Sequence, residues 1–127
     1  VMVIDDDPDD LRLVQKMIED GGDFQAILAE SGERGLELLE TMRPDAIILD
    51  LFMPGLNGFA VLEKLRSDAK LSSIPVIILT GADLTAEQHK QLSEFGKRTL
   101  TKGMLREREL ITSLEESLRK LKNQRRE

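Results

Sequence analysis

The sequence predicts a doubly wound α/β fold in which helices cover both faces of a five-stranded parallel sheet. Apolar segments alternate with amphipathic ones five times along the 127 residues. The predicted strands are apolar throughout, which is typical of parallel strands buried on both faces. Right-handed crossovers leave few topologies for five such units, and of these the flavodoxin-like order 2-1-3-4-5 is favoured.

The first half of the chain supplies three strands and two helices. Asp7 has the position of an N-cap and Pro8 that of a first helical residue, so helix one follows strand one directly. Gly21-Gly22 ends that helix, and Ser31 is the predicted cap of the second. The predicted strands of this half are 1–4, 24–28 and 46–49.

The second half begins with a helix after Gly58. Thr85 and Gln88 have the spacing of a capping box, which predicts a polar fourth helix up to about Phe95. Leucines at helical spacing predict a last helix over 105–121; they suit packing on the sheet, and a dimer seam is the alternative. The predicted strands of this half are 76–79 and 98–101.

Composition excludes several classes of function. The 18 basic and 24 acidic side chains give a net charge of −6, which argues against direct binding of nucleic acid. The chain has no cysteine and one histidine, so disulfides, thiolate metal sites and multi-histidine zinc sites are excluded. No apolar run approaches the length needed to cross a bilayer, so no membrane insertion is expected.

Polar side chains follow four of the five predicted strands. Strand one ends in Asp5 and Asp6, strand three in Asp50, strand four in Thr80 and strand five in Lys102. Because the carboxyl ends of parallel strands meet at one edge of the sheet, we expect these side chains to share a pocket.

Three carboxylates gathered in one pocket repel one another, and a hard divalent cation such as Mg²⁺, or Mn²⁺, relieves that repulsion. Asp50 then has the chemistry to act as a nucleophile on phosphorus and form an acyl phosphate. Lys102 and the Thr80 hydroxyl can neutralise charge on the transferred group.

A set of motifs placed along essentially the whole chain resembles the receiver domain of two-component response regulators. The resemblance rests on Asp5-Asp6, Asp50, Met53-Pro54-Gly55, Asn57-Gly58, Thr80-Gly81-Ala82 and Lys102. It implies that Asp50 is the phosphoacceptor for a histidine kinase or a histidine phosphotransfer domain. It also implies Mg²⁺ ligation by Asp5, by Asp6 more directly, by Asp50 and by the backbone carbonyl of Phe52, with Thr80 and Lys102 contacting the phosphoryl group.

Two positions depart from the family pattern. Gly103 stands where receivers usually have a proline after the lysine, and Thr99 stands where they usually have an aromatic residue. Thr80, Thr99 and Gly103 therefore form a predicted switch region whose output differs from the usual Thr/aromatic coupling. The stretches 81–87 and 106–110 resemble receivers at the carboxyl end of hybrid sensor histidine kinases.

We therefore expect residues 1–127 to form a single receiver domain cut from a longer protein, with 119–127 as the charged end of the last helix. The expected location is the cytoplasm, or the cytoplasmic portion of a membrane-bound sensor kinase. The expected partners are the phosphodonor and a downstream effector or covalently linked domains. Its own phosphorylation and dephosphorylation would be its only catalysis, although a parent hybrid protein would be a histidine kinase.

Two alternatives remain open at the level of sequence. A small-molecule phosphatase with an aspartate nucleophile needs a second acid two residues later, and Phe52 occupies that position. A pseudo-receiver that acts by docking alone would not need the intact set of Asp50, Thr80 and Lys102.

Overall fold

The computed structural model describes residues 1–81, 84–95, 98–102 and 105–125, with the side chains of Phe95, Arg98 and 120–125 left out. Strands and helices alternate within these ranges, as predicted. The strands are β1 (Met2–Ile4), β2 (Ile27–Ala29), β3 (Ile47–Leu49), β4 (Val76–Thr80) and β5 (Arg98–Thr101). The helices are α1 (Pro8–Gly21), α2 (Gly32–Leu39), α3 (Gly58–Ser67), α4 (Ala86–Phe95) and α5 (Glu107–Arg125).

All five strands are parallel and lie in the order β2-β1-β3-β4-β5, which confirms the predicted topology. The last residue of β1, Ile4, is in register with Leu49, the last residue of β3. The residues that follow, Asp5 and Asp50, are therefore neighbours at the carboxyl edge of the sheet.

Side-chain caps fix where the helices begin. Asp7 and Ser31 accept backbone N–H groups at the starts of α1 and α2, at 2.9 and 3.0 Å. Asn57 does the same for α3 at 3.0 Å. Thr85 and Gln88 exchange reciprocal bonds of 3.1 and 2.9 Å, which confirms the capping box before α4.

The sheet separates two apolar layers. Alternate strand residues pack beneath α2, α3 and α4 on one face and beneath α1 and α5 on the other. Leu110 and Leu114 of α5 are fully buried against the sheet, which confirms the packing interpretation of those leucines. Among the helices that the structure describes, none has the length and apolar character of a membrane span.

The prediction for the second strand was wrong at both ends, since 24–28 was expected and Ile27–Ala29 is observed. The Ile27 N–H faces β1 and donates to the carbonyl of Val1 at 2.8 Å. The Ala26 N–H faces the open edge of the sheet, where it donates to the Glu19 carboxylate at 3.1 Å. Phe24 and Ala26 pack on the α1–α5 layer, and the Val1 ammonium donates to the carbonyl of Gln25 at 2.9 Å, so contact with the β1 segment begins before the regular strand. Apolar character alone did not distinguish a strand from a packed connection.

Candidate functional site

Three carboxylates meet where β1 and β3 end. Asp5 and Asp50 are buried and Asp6 is exposed. One carboxylate oxygen of each lies within 4.8 Å of the others. The predicted gathering of these acids is therefore confirmed by the geometry.

Lys102, directly after β5, brings a positive charge to the same place. Its Nζ lies 2.7 Å from Oδ2 of Asp5 and 3.6 Å from Oδ2 of Asp50. It also donates a 2.8 Å hydrogen bond to Oδ2 of Asp10, in the first turn of α1. One half-buried ammonium thus faces three carboxylates.

The pocket shifts the ionisation of its central groups. Burial, helped by the nearby charge of Asp5, raises the pKa of Asp50 to about 6, although Lys102 opposes the shift. Burial alone would lower the pKa of Lys102, but its hydrogen bonds to Asp10 and Asp5 and the charge of Asp50 raise it overall. Lys102 is therefore a permanent cation beside a carboxylate that resists ionisation.

Thr80 ends β4 and is buried at the same edge, in register with Thr101, the residue before Lys102. The predicted approach of Thr80 to the site is thus supported by strand register. Thr99 is exposed and pairs with Ile78. Gly103, the third predicted switch residue, lies outside the described residues, as do Ala82 and the last two residues of the charged end.

The loop after Asp50 is held tightly against the strand. A Cβ on Gly58 would lie 2.5 Å from the carbonyl oxygen of Asp50, so only glycine allows α3 to start this close to β3. Gly55 has a φ of 72°, a conformation that favours glycine. The Phe52 N–H is directed at Oδ1 of Asp50 over 3.5 Å. Metal ligation by the Phe52 carbonyl stays a prediction.

Sequence reasoning missed two residues around the site. Asp10 was not recognised as a partner of Lys102, which is 92 residues away along the chain. The sequence does indicate that Asp10 faces inward, since it lies four residues before Val14, which is on the buried side of α1. Glu33 was also missed; it accepts the N–H of Leu56 at 2.7 Å, and no local pattern indicates that contact.

A protein-family model described as the response regulator receiver domain matches residues 1–115. The chain belongs to this family. It is therefore a receiver domain of the response regulators that act in two-component phosphorelay signalling. Receiver domains of this family are typically not catalytic enzymes.

Individual relatives agree with this assignment. The protein PilH of Pseudomonas aeruginosa is 40% identical over 83 residues, which are 65% of this chain and 68% of PilH. The response regulator Rre1 of Synechocystis is 35% identical over 88 residues, which are 69% of this chain but only 38% of Rre1. The chain thus spans about two thirds of PilH and little more than a third of Rre1.

A solved structure confirms the fold. The signal receiver domain of a signal transduction histidine kinase from Syntrophus aciditrophicus superposes with a TM-score of 0.82 at 26% identity. The match covers 92% of this chain and 87% of that one.

The donor set suits a hard divalent cation. Asp5, Asp6 and Asp50 offer oxygen atoms only, at a mutual spacing that can hold a metal ion. His89, the single histidine, is exposed on α4. The residues present therefore fit Mg²⁺ or Mn²⁺ and not a metal that requires nitrogen or sulfur ligands.

Proposed function

We propose that this domain accepts a phosphoryl group on Asp50 from a phosphohistidine of a histidine kinase or histidine phosphotransfer domain. One observation carries the proposal: Asp50 shares a single pocket with the carboxylates of Asp5 and Asp6 and with the ammonium of Lys102, which lies 3.6 Å from it. The nucleophile thus has anionic oxygens that can hold a cation and a fixed positive charge within the same pocket.

In the transfer, one Oδ atom of Asp50 attacks phosphorus as the bond from phosphorus to the donor imidazole nitrogen breaks. The electron pair of that bond stays on the imidazole, and Asp50 becomes an acyl phosphate. Lys102 donates to an oxygen of the transferred group and offsets its charge. The Thr80 hydroxyl, at the end of the adjacent strand, binds a second oxygen.

Asp5, Asp6, Asp50 and the Phe52 carbonyl would hold Mg²⁺ or Mn²⁺, which would supply positive charge to the phosphoryl oxygens. The raised pKa of Asp50 supports this role for the acids. Besides burial, the negative charges of Asp5 and Asp6 contribute to that shift, and a cation placed among the three carboxylates would relieve this repulsion.

Phosphorylation would shift a two-state equilibrium in the surface around α4, β5 and α5 and so change partner binding. Position 99 holds an exposed threonine where the family usually has an aromatic residue. The movement of Thr80 is therefore not coupled to an aromatic side chain at this position. We infer that Thr80 and the segment around Gly103 transmit the change. A downstream effector or covalently linked domains would then receive it.

We also propose that residues 1–127 are one receiver domain of a longer parent protein. One sheet contacts all five helices, which supports a single unit. The similarity to the receiver of a histidine kinase supports a hybrid sensor kinase as that parent. The domain itself would carry out only its own phosphorylation and dephosphorylation.

The test is incubation of the chain with acetyl phosphate and Mg²⁺, followed by intact-mass spectrometry. We expect one stable phosphoryl adduct in the wild-type chain and in Asp20→Asn, a control that removes an exposed acid of α1. Asp50→Asn abolishes the adduct. Wild-type chain that stays unmodified by both acetyl phosphate and a phosphohistidine donor would instead support docking without phosphorylation. Turnover of free phosphate esters would support the phosphatase alternative.

A further inference from the structure

We propose that Asp10 is a competing partner for Lys102, which keeps the ammonium away from Asp50 until a phosphoryl group is present. This inference rests on the proposed function of Asp50. Nζ is within hydrogen-bond distance of Asp5 and Asp10, at 2.7 and 2.8 Å, but 3.6 Å from Asp50. In the structure Lys102 therefore rests on the α1 side of the pocket.

A lysine ammonium has three N–H donors, and two of them are directed at Asp5 and Asp10. The third donor is left for a phosphoryl group on Asp50, but Nζ lies 3.6 Å from that carboxylate, so a charge-assisted bond to the group requires Nζ to move toward β3. Moving Nζ weakens one of the two contacts that hold it. The exposure of the two acids decides which contact is lost.

The side chain of Asp5 is only 4% exposed, so an unpaired charge there would be costly. The side chain of Asp10 is 33% exposed, and water can solvate it once Lys102 leaves. Asp10 is therefore the partner that Lys102 exchanges for the phosphoryl group. Its negative charge also opposes the arrival of that group.

Asp9 provides a matched control. It lies beside Asp10 in the first turn of α1 and carries the same charge, but it pairs in solvent with Arg12. Asp9→Asn and Asp10→Asn thus remove the same charge from the same helix end, and only Asp10→Asn releases Lys102. A difference in reaction rate between the two variants therefore results from loss of the contact with Lys102, and not from the change in net charge or in the interaction with the helix dipole.

The experiment compares the initial rate of Asp50 modification by acetyl phosphate at fixed Mg²⁺ in the wild-type chain and both variants. We expect Asp10→Asn to react roughly three- to tenfold faster than Asp9→Asn, as one partly exposed ion pair is removed. Equal rates would overturn the proposal. A slower Asp10→Asn would also overturn it, because Asp10 would then position Lys102 for the reaction.

A crystal structure of Asp10→Asn gives a readout that does not depend on phosphorylation. We expect Nζ of Lys102 to move to within about 3 Å of an Asp50 carboxylate oxygen. If Nζ keeps its place beside Asp5 at an unchanged distance from Asp50, the proposal is wrong. An unreactive wild-type chain would count against the proposed function, while this distance would still decide the role of Asp10.

Discussion

Glu33, in the first turn of α2, accepts the backbone N–H of Leu56 at 2.7 Å. The bond ties α2 to the loop that connects Asp50 with α3. The hydrogen bond from Leu56 lowers the pKa of Glu33, because it favours the ionised carboxylate. The loop that contains Phe52, the proposed metal ligand, thus begins at Asp50 and is fixed near its other end by the bond to α2.

Glu33→Ala should loosen this loop. We expect faster hydrogen exchange of the Leu56 amide and weaker Mg²⁺ binding, both measured by NMR on labelled protein. Glu33→Gln keeps an acceptor oxygen and should retain most of the protection. Glu37→Ala, on the exposed side of the same helix, is the control. Unchanged Leu56 exchange in Glu33→Ala would show that the bond does not hold the loop.

Asp50→Asn should stabilise the metal-free domain at neutral pH. The pKa of Asp50 is raised to about 6 in the folded state, so the folded chain binds a proton that the unfolded chain releases. The stabilisation that this proton provides is complete below about pH 4 and is lost as the pH rises through 6. At pH 7 the variant should unfold with a free energy roughly 1–3 kcal/mol higher than that of the wild type.

Urea unfolding from about pH 4 to pH 7, without divalent cations, measures this difference. The difference in the free energy of unfolding between Asp50→Asn and the wild type should increase with pH. Asp20→Asn should have the same free energy of unfolding as the wild type throughout. Addition of Mg²⁺ should narrow the gap at pH 7, because cation binding stabilises the wild-type folded state. A gap that is constant with pH would contradict the raised pKa.

The sequence was sufficient to predict the fold because its signals are local. Each strand is a short apolar run, and capping residues such as Asp7 and Ser31 mark the helix starts without reference to the rest of the chain. Because the strands are parallel, the residues that follow their carboxyl ends lie close together at one edge of the sheet. The meeting of Asp5, Asp6 and Asp50 follows from those rules alone.

The contacts that refine the site are not local and were missed. The pairing of Lys102 with Asp10 depends on how deeply α1 packs on the sheet, which helical periodicity does not specify. The bond from Leu56 to Glu33 depends on the path of an irregular loop. The start of β2 was mispredicted because the apolar Phe24 packs on the α1–α5 layer in a segment that precedes the regular strand.

Gly58→Ala should strain the junction between β3 and α3. The new Cβ would lie 2.5 Å from backbone atoms of both Asp50 and Leu51, which cannot move without shifting the strand end. We expect a loss of roughly 1–3 kcal/mol in the free energy of unfolding, and slower phosphorylation of Asp50. Gly81→Ala is the control for stability, since among the described residues its Cβ would meet the Lys102 side chain alone, at 3.6 Å. Equal stability of the two variants would show that the junction adapts.

Phe52 should make the acyl phosphate long-lived. It stands two residues after Asp50 and offers no polar side chain to hold an attacking water. Phe52 is 41% exposed, and its ring meets Phe59 edge to face at a centroid distance of 6.5 Å. Phe52→Asn should therefore cost little stability and accelerate loss of phosphate by about tenfold or more, because an amide can orient water toward phosphorus.

The decay is followed by intact mass after acetyl phosphate is removed, with Mg²⁺ held constant. Phe52→Leu is the matched variant, because it removes the ring without adding a polar group and should keep the slow decay. If both variants accelerate hydrolysis equally, the ring acts by covering the phosphoryl group. If neither changes the rate, the attacking water is held elsewhere in the pocket, and the side chain at position 52 does not set the lifetime of the signal.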